Sequence, residues 1–178
     1  MVETVPDSID VLVAFLNTRH VELHREDLAG PGDLDRFASE HGLDREVGRL
    51  TAYDVVAARE LREALRTRVA DGWEAGDDDT SSLVATAAAA RFSLAMTPEG
   101  VTLNPLGTGW ALLSARLLAL LLDARSAGTL ARLKVCPGEE CAWAFHDRSR
   151  NSSRTWCSEQ VCGARTRSRA YRQRRSGR

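Results

Sequence analysis

Apolar residues recur at helical spacing along most of the first 130 residues. Intervals of three and four predict four helices, which run from Ile9 to Leu16, from Asp33 to near Gly42, from Val47 to Val69 and from Leu83 to Ala90. Pro6-Asp7-Ser8, Asp33 and Asp79-Thr80-Ser81 are typical helix starts, and Gly30-Pro31-Gly32 is expected to break the chain. A fifth segment, Trp110 to Ala124, is almost continuously apolar and predicts a buried helix that ends by Gly128.

The longest predicted helix has two contrasting faces. Its apolar face is expected to hold Tyr53, Leu61 and Leu65. The remaining positions carry charges that predict a solvated face, namely Arg59, Glu60, Arg62, Glu63 and Arg66.

A strand-like alternation follows the fourth helix. Phe92, Leu94 and Met96 alternate with smaller or polar residues, and Val101 and Leu103 follow after Pro98-Glu99-Gly100. This pattern predicts a β-hairpin, followed by a loop over Asn104 to Gly107. The first part of the chain is therefore expected to be mainly α with one β-hairpin.

Charge and cysteines divide the chain into two parts. The net charge of −1 combines −9 over residues 1–130 with +8 over residues 131–178. The four cysteines all lie in the second part. We therefore expect a domain over 1–130, here called the body, and a separate domain over 131–178, here called the finger. A basic segment beside an acidic body is typical of proteins that bind polyanions.

The cysteines have the spacing of a metal site. Cys136 and Cys141 form one pair, fifteen residues follow, and Cys157 and Cys162 form the second pair. Two short-spaced pairs of this kind suit a tetrahedral ion, and four thiolates favour one structural Zn(2+) that has no open position for catalysis. An iron–sulfur cluster, two disulfides, and His146 as a ligand are the alternatives. Disulfides are disfavoured because no secretion signal is evident at the start.

The finger is expected to resemble a treble clef. Trp143 and Phe145 predict a hairpin whose tip carries Arg148 and Arg150, and a helix is expected to open near Cys157. Trp143 and Trp156 are expected to pack around the zinc. The chain then continues as a C-terminal segment rich in arginine. A helix of this composition has little to bury and would be stabilised by a polyanion such as DNA, whereas the alternative is a solvated, disordered terminus.

Several short motifs resemble a known family, the CGNR zinc finger. They are Phe145-His-Asp-Arg-Ser-Arg-Asn, Arg154-Thr-Trp-Cys157-Ser and Cys162-Gly-Ala-Arg165. Phe15-Leu-Asn-Thr-Arg19 resembles the opening of the helical ABATE domain that precedes this finger in bacterial proteins regarded as stress-induced transcription regulators. One position departs from the family, since Ala164 stands where the motif has asparagine. Ala cannot form the hydrogen bonds of an amide, which puts sequence preference in doubt.

The resemblance implies a cytoplasmic regulator of the stress response that binds duplex DNA through the finger. It implies zinc at the four cysteines and arginine contacts to phosphate or guanine, from Arg148, Arg150, Arg154, Arg165, Arg167, Arg169, Arg172 and Arg174. The body would sense a small-molecule signal, with Asn17 and Arg19 as candidate ligand contacts, although an ordinary helix end is the alternative there. A homodimer is a further expectation.

Two other function classes fit the residues. The finger could be a protein-interaction module whose basic tail docks on an acidic partner or on the body itself, or it could bind RNA. No nucleophile with a matching base, glycine-rich phosphate loop or catalytic carboxylate pair is evident, so we expect no enzyme activity. The longest apolar run is too short to span a membrane.

Overall fold

A computed structural model describes residues 7–73, 81–98 and 100–176 of the protein. In these residues the helices are α1 (Ser8–Leu16), α2 (Pro31–Glu40), α3 (Ala52–Asp71), α4 (Ser81–Ala89), α5 (Gly109–Ser126) and α6 (Ala164–Ser176). The strands form three separate antiparallel pairs, which are β1 (Arg19–His20) with β2 (Arg25–Glu26), β3 (Arg91–Thr97) with β4 (Gly100–Leu106), and β5 (Leu133–Val135) with β6 (Ala144–His146). A 3₁₀ turn (Leu130–Arg132) precedes β5 and a π-helical turn (Glu159–Gly163) precedes α6.

The helix starts follow local side-chain chemistry. The Asp7 carboxylate accepts a hydrogen bond from the Ile9 amide at the start of α1. Thr51 and Asp54 form a capping box at the start of α3. At α2 the helix begins two residues before the predicted start at Asp33, because Gly30 is the N-cap and Pro31 is the first helical residue. Proline has no N–H to lose and its φ already suits a helix at that position.

The core of the body lies where α1, α3 and α5 meet. It includes side chains that are almost fully buried, such as Leu12, Phe15, Leu61, Leu113 and Leu117. The same cluster continues into the finger, because Leu133 of β5 and Ala144 of β6 belong to it. The finger therefore begins on a hairpin that is packed against the body.

The predicted faces of the longest helix need a correction. Arg62 and Arg66 are buried, although the sequence predicted them on a solvated face. Tyr53 is exposed instead of facing the core. The apolar stripe runs through Val55, Ala58, Leu61, Leu65 and Val69. Arg62 and Arg66 lie beside it and can be buried because each forms hydrogen bonds with polar partners.

The β3–β4 hairpin confirms the predicted alternation. Leu94 pairs with Leu103, and Met96 pairs with Val101. The expected loop after Leu103 was wrong in part, since β4 continues to Leu106 and pairs Phe92 with Pro105. The proposed α4 cap at Asp79 and Thr80 lies outside the described residues. No helix in the described ranges is long and apolar enough to cross a membrane.

Candidate metal centre and nucleic-acid interface

Two turns present the four cysteines to one point. In the first, the Cys136 amide donates to the Trp143 carbonyl at 2.8 Å and the Cys141 amide donates to the Gly138 carbonyl at 2.9 Å. In the second, the Cys162 amide donates to the Ser158 carbonyl at 2.9 Å. Both turns therefore have the tight backbone that brings two thiols of a short-spaced pair together.

The sulfur positions fit a tetrahedral metal ion. The four Sγ atoms lie within 4.8 Å of one another. The Sγ atoms of Cys141, Cys157 and Cys162 are each 3.6 Å from the other two. Four sulfurs at about 2.3 Å from a zinc ion are about 3.8 Å apart, whereas a disulfide needs about 2.05 Å. All four cysteines are free thiols. The arrangement fits one structural zinc, as the spacing predicted.

Burial and neighbouring groups shift the pKa of Cys136, Cys157 and Cys162. Burial raises the pKa of Cys162 to about 11, and burial together with neighbouring thiols raises the pKa of Cys157 further. For Cys136, burial likewise raises the pKa, but backbone hydrogen bonds near Cys157 and Gly138 outweigh it and leave the pKa lowered. The thiolate of Cys136 is therefore favoured, and those of Cys157 and Cys162 are disfavoured. Four thiolates together need a bound cation.

A small apolar cluster, separate from the core of the body, surrounds the four sulfur atoms. Phe145 is buried in it, and Trp143 and Trp156 are partly buried against it. This packing agrees with the predicted role of the tryptophans. Gly138 is also needed here, because a Cβ at that position would lie 3.3–3.4 Å from Cys136, Cys141 and Cys162 side-chain atoms. A larger residue would press on three ligands at once.

The segment after β6 is a loop built around a buried carboxylate. Asp147 is fully buried and accepts hydrogen bonds from Lys134 Nζ at 2.7 Å and from the amides of Ser149 and Arg154 at 2.9 Å. Lys134 also donates to the Ser152 and Arg154 carbonyls. Burial raises the pKa of Asp147, but these bonds outweigh it and hold the pKa well below its usual range. The prediction that Arg148 and Arg150 lie at a hairpin tip was wrong, because β6 pairs with the preceding strand β5 and both arginines lie on the loop after β6.

The predicted DNA contacts on the loop have different surroundings. Arg154 lies over the Phe145 ring at 4.9 Å and donates to the Trp156 and Cys157 carbonyls, so it holds the second cysteine turn. Arg148 Nη2 donates to both carboxylate oxygens of Asp10 of the body at 2.9 Å. Arg150 forms no ion pair with a described residue.

Helix α6 follows directly from the last cysteine turn. Its 13 residues include six arginines and no acidic residue, and none of its side chains is buried. The arginines in the first half of α6 form ion pairs. Arg165 contacts Glu22 at 2.9 Å, Arg167 contacts Glu159, and Arg169 contacts Glu139. Arg172 and Arg174, further along, form no ion pair with any described residue.

Of the two candidate ligand contacts of the body, Asn17 lies at the interface with the finger and Arg19 pairs within the body. Asn17 is buried, and its amide bonds both backbone groups of Ala144, with distances of 2.9 Å to the carbonyl and 2.8 Å from the amide. Arg19 pairs with Glu63 at 3.5 Å. Asn17 also lines a cleft of about 530 Å³ whose wall includes Arg25, Asp27, Arg36 and His41. The structure does not bring Arg19 into that cleft.

Two arginines that the sequence analysis predicted on a solvated face are buried, and one of them, Arg66, connects the body to the finger. Arg66 donates to the Leu16 carbonyl at the end of α1 and to the Ala142 carbonyl in the finger. Arg62 donates to both carboxylate oxygens of Glu26 at 2.7 Å. One sequence signal could have identified them: Arg62 and Arg66, four residues apart, interrupt the regular apolar stripe of this helix. The sequence does not indicate their partners, which are distant along the chain.

Comparison with protein families matches both parts of the chain. Residues 132–175 match the CGNR zinc finger, and residues 10–132 match the domain ABATE, described as a "putative stress-induced transcription regulator". No curated protein matches the chain. Since the second match spans more than half of the sequence, the chain belongs to the ABATE family, with a CGNR zinc finger at its C-terminal end.

Proposed function

We propose that this protein is a cytoplasmic transcription regulator that binds duplex DNA through the finger, which includes α6. It has no catalytic role in this proposal, because four cysteine ligands leave zinc no open position. The body senses a signal, for which the cleft beside Asn17 is the candidate site. The protein acts as a homodimer, so that two fingers contact two half-sites.

One observation carries the proposal: α6 projects six arginines and no acidic residue from the second cysteine turn, with no side chain buried. An isolated basic helix repels itself and has no core to join, so its own sequence gives it little stability. The zinc turn fixes its first residue. DNA supplies the missing negative charge, with one phosphate charge about every 1.7 Å of helix axis.

The unpaired arginines are the most available for DNA. Arg172 and Arg174 contact no described carboxylate, and α6 is long enough, at about 20 Å, to lie in a major groove. Arg150 on the loop and Arg175 at the end of α6 likewise form no ion pair with a described residue. The paired Arg165, Arg167 and Arg169 must first exchange a carboxylate for a phosphate.

The test compares two double variants with equal change in charge. Arg172→Gln with Arg174→Gln is expected to weaken binding to duplex DNA and to reduce the salt slope by up to about two charges. Arg45→Gln with Arg125→Gln, on the exposed surface of the body, serves as the control and is expected to leave the slope unchanged. If both double variants behave alike, general charge drives binding and α6 is not the interface. Competition with single-stranded and structured RNA distinguishes the RNA alternative.

A second candidate function has specific support, namely that the body restrains the finger. Arg148 pairs with Asp10 and Arg165 with Glu22, so two predicted DNA contacts are held by body carboxylates. Both pairs are exposed and therefore weak. Asp10→Asn with Glu22→Gln is expected to tighten DNA binding a few-fold, measured by titration at low salt. Unchanged or weaker binding would contradict this restraint.

A further inference from the structure

Residues 81–106 differ from the rest of the chain in carrying almost no charge. Arg91 and Glu99 are the charged residues of this segment, whereas 28% of the whole chain is charged. The segment comprises α4 and the β3–β4 hairpin. It belongs neither to the zinc centre nor to the joint between body and finger.

The hairpin has one face made entirely of apolar side chains. Paired residues of an antiparallel sheet point to the same side, and alternate residues point to opposite sides. Three successive pairs therefore share a face, which we call the apolar hairpin face: Phe92 with Pro105, Leu94 with Leu103 and Met96 with Val101. The opposite face carries mostly small or polar residues, including Ser93, Thr102 and Asn104.

Most of the apolar hairpin face is uncovered. Leu94 is 69% exposed, Met96 81% and Val101 59%, while Phe92 and Pro105 at the other end are half-buried. The sheet has two strands, and a two-stranded sheet is marginally stable in water on its own. Such a ribbon retains its shape more readily when a second layer covers the apolar side.

We propose that the apolar hairpin face packs against the same face of a second copy of this chain, forming a two-fold homodimer. The inference rests on the proposed homodimer and assigns its interface. It does not require DNA binding.

A second copy fits this face better than a charged partner does. The face carries no charge that would recognise a nucleic acid or an acidic or basic protein surface. A two-fold contact places equivalent positions opposite each other, so an apolar ribbon meets one of equal length and pattern. Alternating side chains from two such faces can interdigitate as they do between packed sheets.

The exposed area of the apolar hairpin face is about half of what a standard interface buries, which is the size of a weak dimer contact. The exposed part of the apolar hairpin face amounts to roughly 400 Å² per copy, the size of the largest apolar patch on a typical monomer, which is often functional. A standard interface needs about 800 Å² per partner. Helix α4 runs into β3 at Ala90 and leaves Val84 exposed, so it supplies further apolar surface next to the hairpin in sequence.

The test compares two variants, each with one new charge, on opposite faces of the same strand. Leu94→Glu puts a carboxylate on the apolar hairpin face, and Ser93→Glu puts the same group on the opposite face one residue away. Each zinc-loaded protein is examined by sedimentation equilibrium without DNA. Circular dichroism and bound zinc per chain show whether the variants fold.

The wild type is expected to have twice the 19.5 kDa chain mass. Leu94→Glu is expected to weaken dimerisation by at least about a hundredfold, because two carboxylates would be buried without partners. Ser93→Glu is expected to change it less than about threefold. Folded Leu94→Glu that remains dimeric, or equal loss in both variants, would overturn this interface.

A wild type that stays monomeric at about 100 μM would overturn the homodimer itself. DNA binding is measured separately on the same samples. A monomer that still binds DNA would remove the dimer from the proposed function and leave the finger in place. If Leu94→Glu does not fold, Met96→Glu on the same face replaces it, with Thr102→Glu as its control.

Discussion

The body and the finger are stabilised by different means. The body buries a continuous apolar cluster contributed by α1, α3 and α5. The finger has a cluster of three aromatic residues around the cysteines, and its loop is held by Asp147 and Lys134. A core of a hundred or more residues can supply folding free energy by itself, whereas about 45 residues usually need a metal. Helix α6 buries no side chain in either cluster, so its arginines stay exposed, whereas the buried arginines of the body, Arg62 and Arg66, have hydrogen-bond partners.

The difference also shows where the two parts depend on each other. Leu133 and Ala144 of the finger hairpin lie in the apolar core of the body. Asn17 and Arg66 of the body bond the backbone of the finger. The metal therefore organises residues after the hairpin, while the hairpin itself is held by the body. The following variants test that division, starting from the largest expected effect.

Loss of zinc is expected to have the largest effect. Chelation or Cys157→Ser removes a contribution of about 10–16 kcal/mol in apparent binding free energy. The first cysteine turn and the residues after β6, including α6, should unfold, whereas the β5–β6 hairpin stays packed on the body and α1, α3 and α5 keep their helical signal in circular dichroism. The measurement pairs that signal with zinc content. A global loss of helicity would show that the body also needs the metal.

Truncation in the apolar core of the body comes next. Leu61→Ala removes a fully buried side chain and is expected to lower the free energy of unfolding by about 2–5 kcal/mol. Val56→Ala on the same helix alters a half-exposed side chain and should cost well under 1 kcal/mol. Denaturant unfolding measures both. Bound zinc should remain at one per chain in native buffer, and zinc loss in Leu61→Ala would contradict an independent metal centre.

The buried ion pair of the body is expected to matter less, and in a pH-dependent way. Burial raises the pKa of Glu26, but hydrogen bonds from Arg62 and the Leu28 amide outweigh it and leave the pKa lowered. Glu26→Gln should cost about 2–3 kcal/mol at pH 7, since Glu63 still pairs with Arg62.

The sign of the pH dependence follows from the lowered pKa. Ionised Glu26 stabilises the fold above the pKa of unfolded glutamate, about 4.3, and this contribution disappears as pH falls through the lower folded value. The difference in stability between wild type and Glu26→Gln should therefore shrink below about pH 4. Unfolding by denaturant across this pH range measures it. A constant difference would mean that the ion pair is not its source.

The joint between the two parts gives the smallest of these effects. Asn17→Ala removes both hydrogen bonds to Ala144 and is expected to cost about 1–2 kcal/mol. Asn17→Asp keeps the acceptor and loses the donor, so it separates the two bonds. Hydrogen exchange should rise at the Ala144 amide while bound zinc stays constant. Unchanged exchange in Asn17→Ala would show that Asn17 does not hold the finger.

What could be predicted from the sequence depended on how local the cause is. The metal centre could be predicted because ligand geometry restricts cysteine spacing, and Cys136 to Cys162 satisfy it without reference to the rest of the chain. The helices could be predicted because apolar periodicity and caps such as Asp7 are local. The β3–β4 hairpin follows from alternation in the same way.

The remaining features depend on partners far along the chain. Arg62 is buried because Glu26, 36 residues earlier, meets it. Asn17 bonds Ala144 across 127 residues. The loop after β6 folds around Asp147 because Lys134 comes from the preceding strand. Periodicity places such residues on a face, but it does not reveal which polar group will neutralise them.

The most direct test of the account is a titration of duplex DNA with zinc-loaded protein across a salt series, alongside the chelated protein. The account predicts binding that weakens steeply with salt and is lost when the metal is removed, because α6 is then no longer held. Selective retention of one genomic sequence would establish a regulator. Absence of binding at low salt with zinc present, or equal binding by the chelated protein, would contradict the proposed role of the finger.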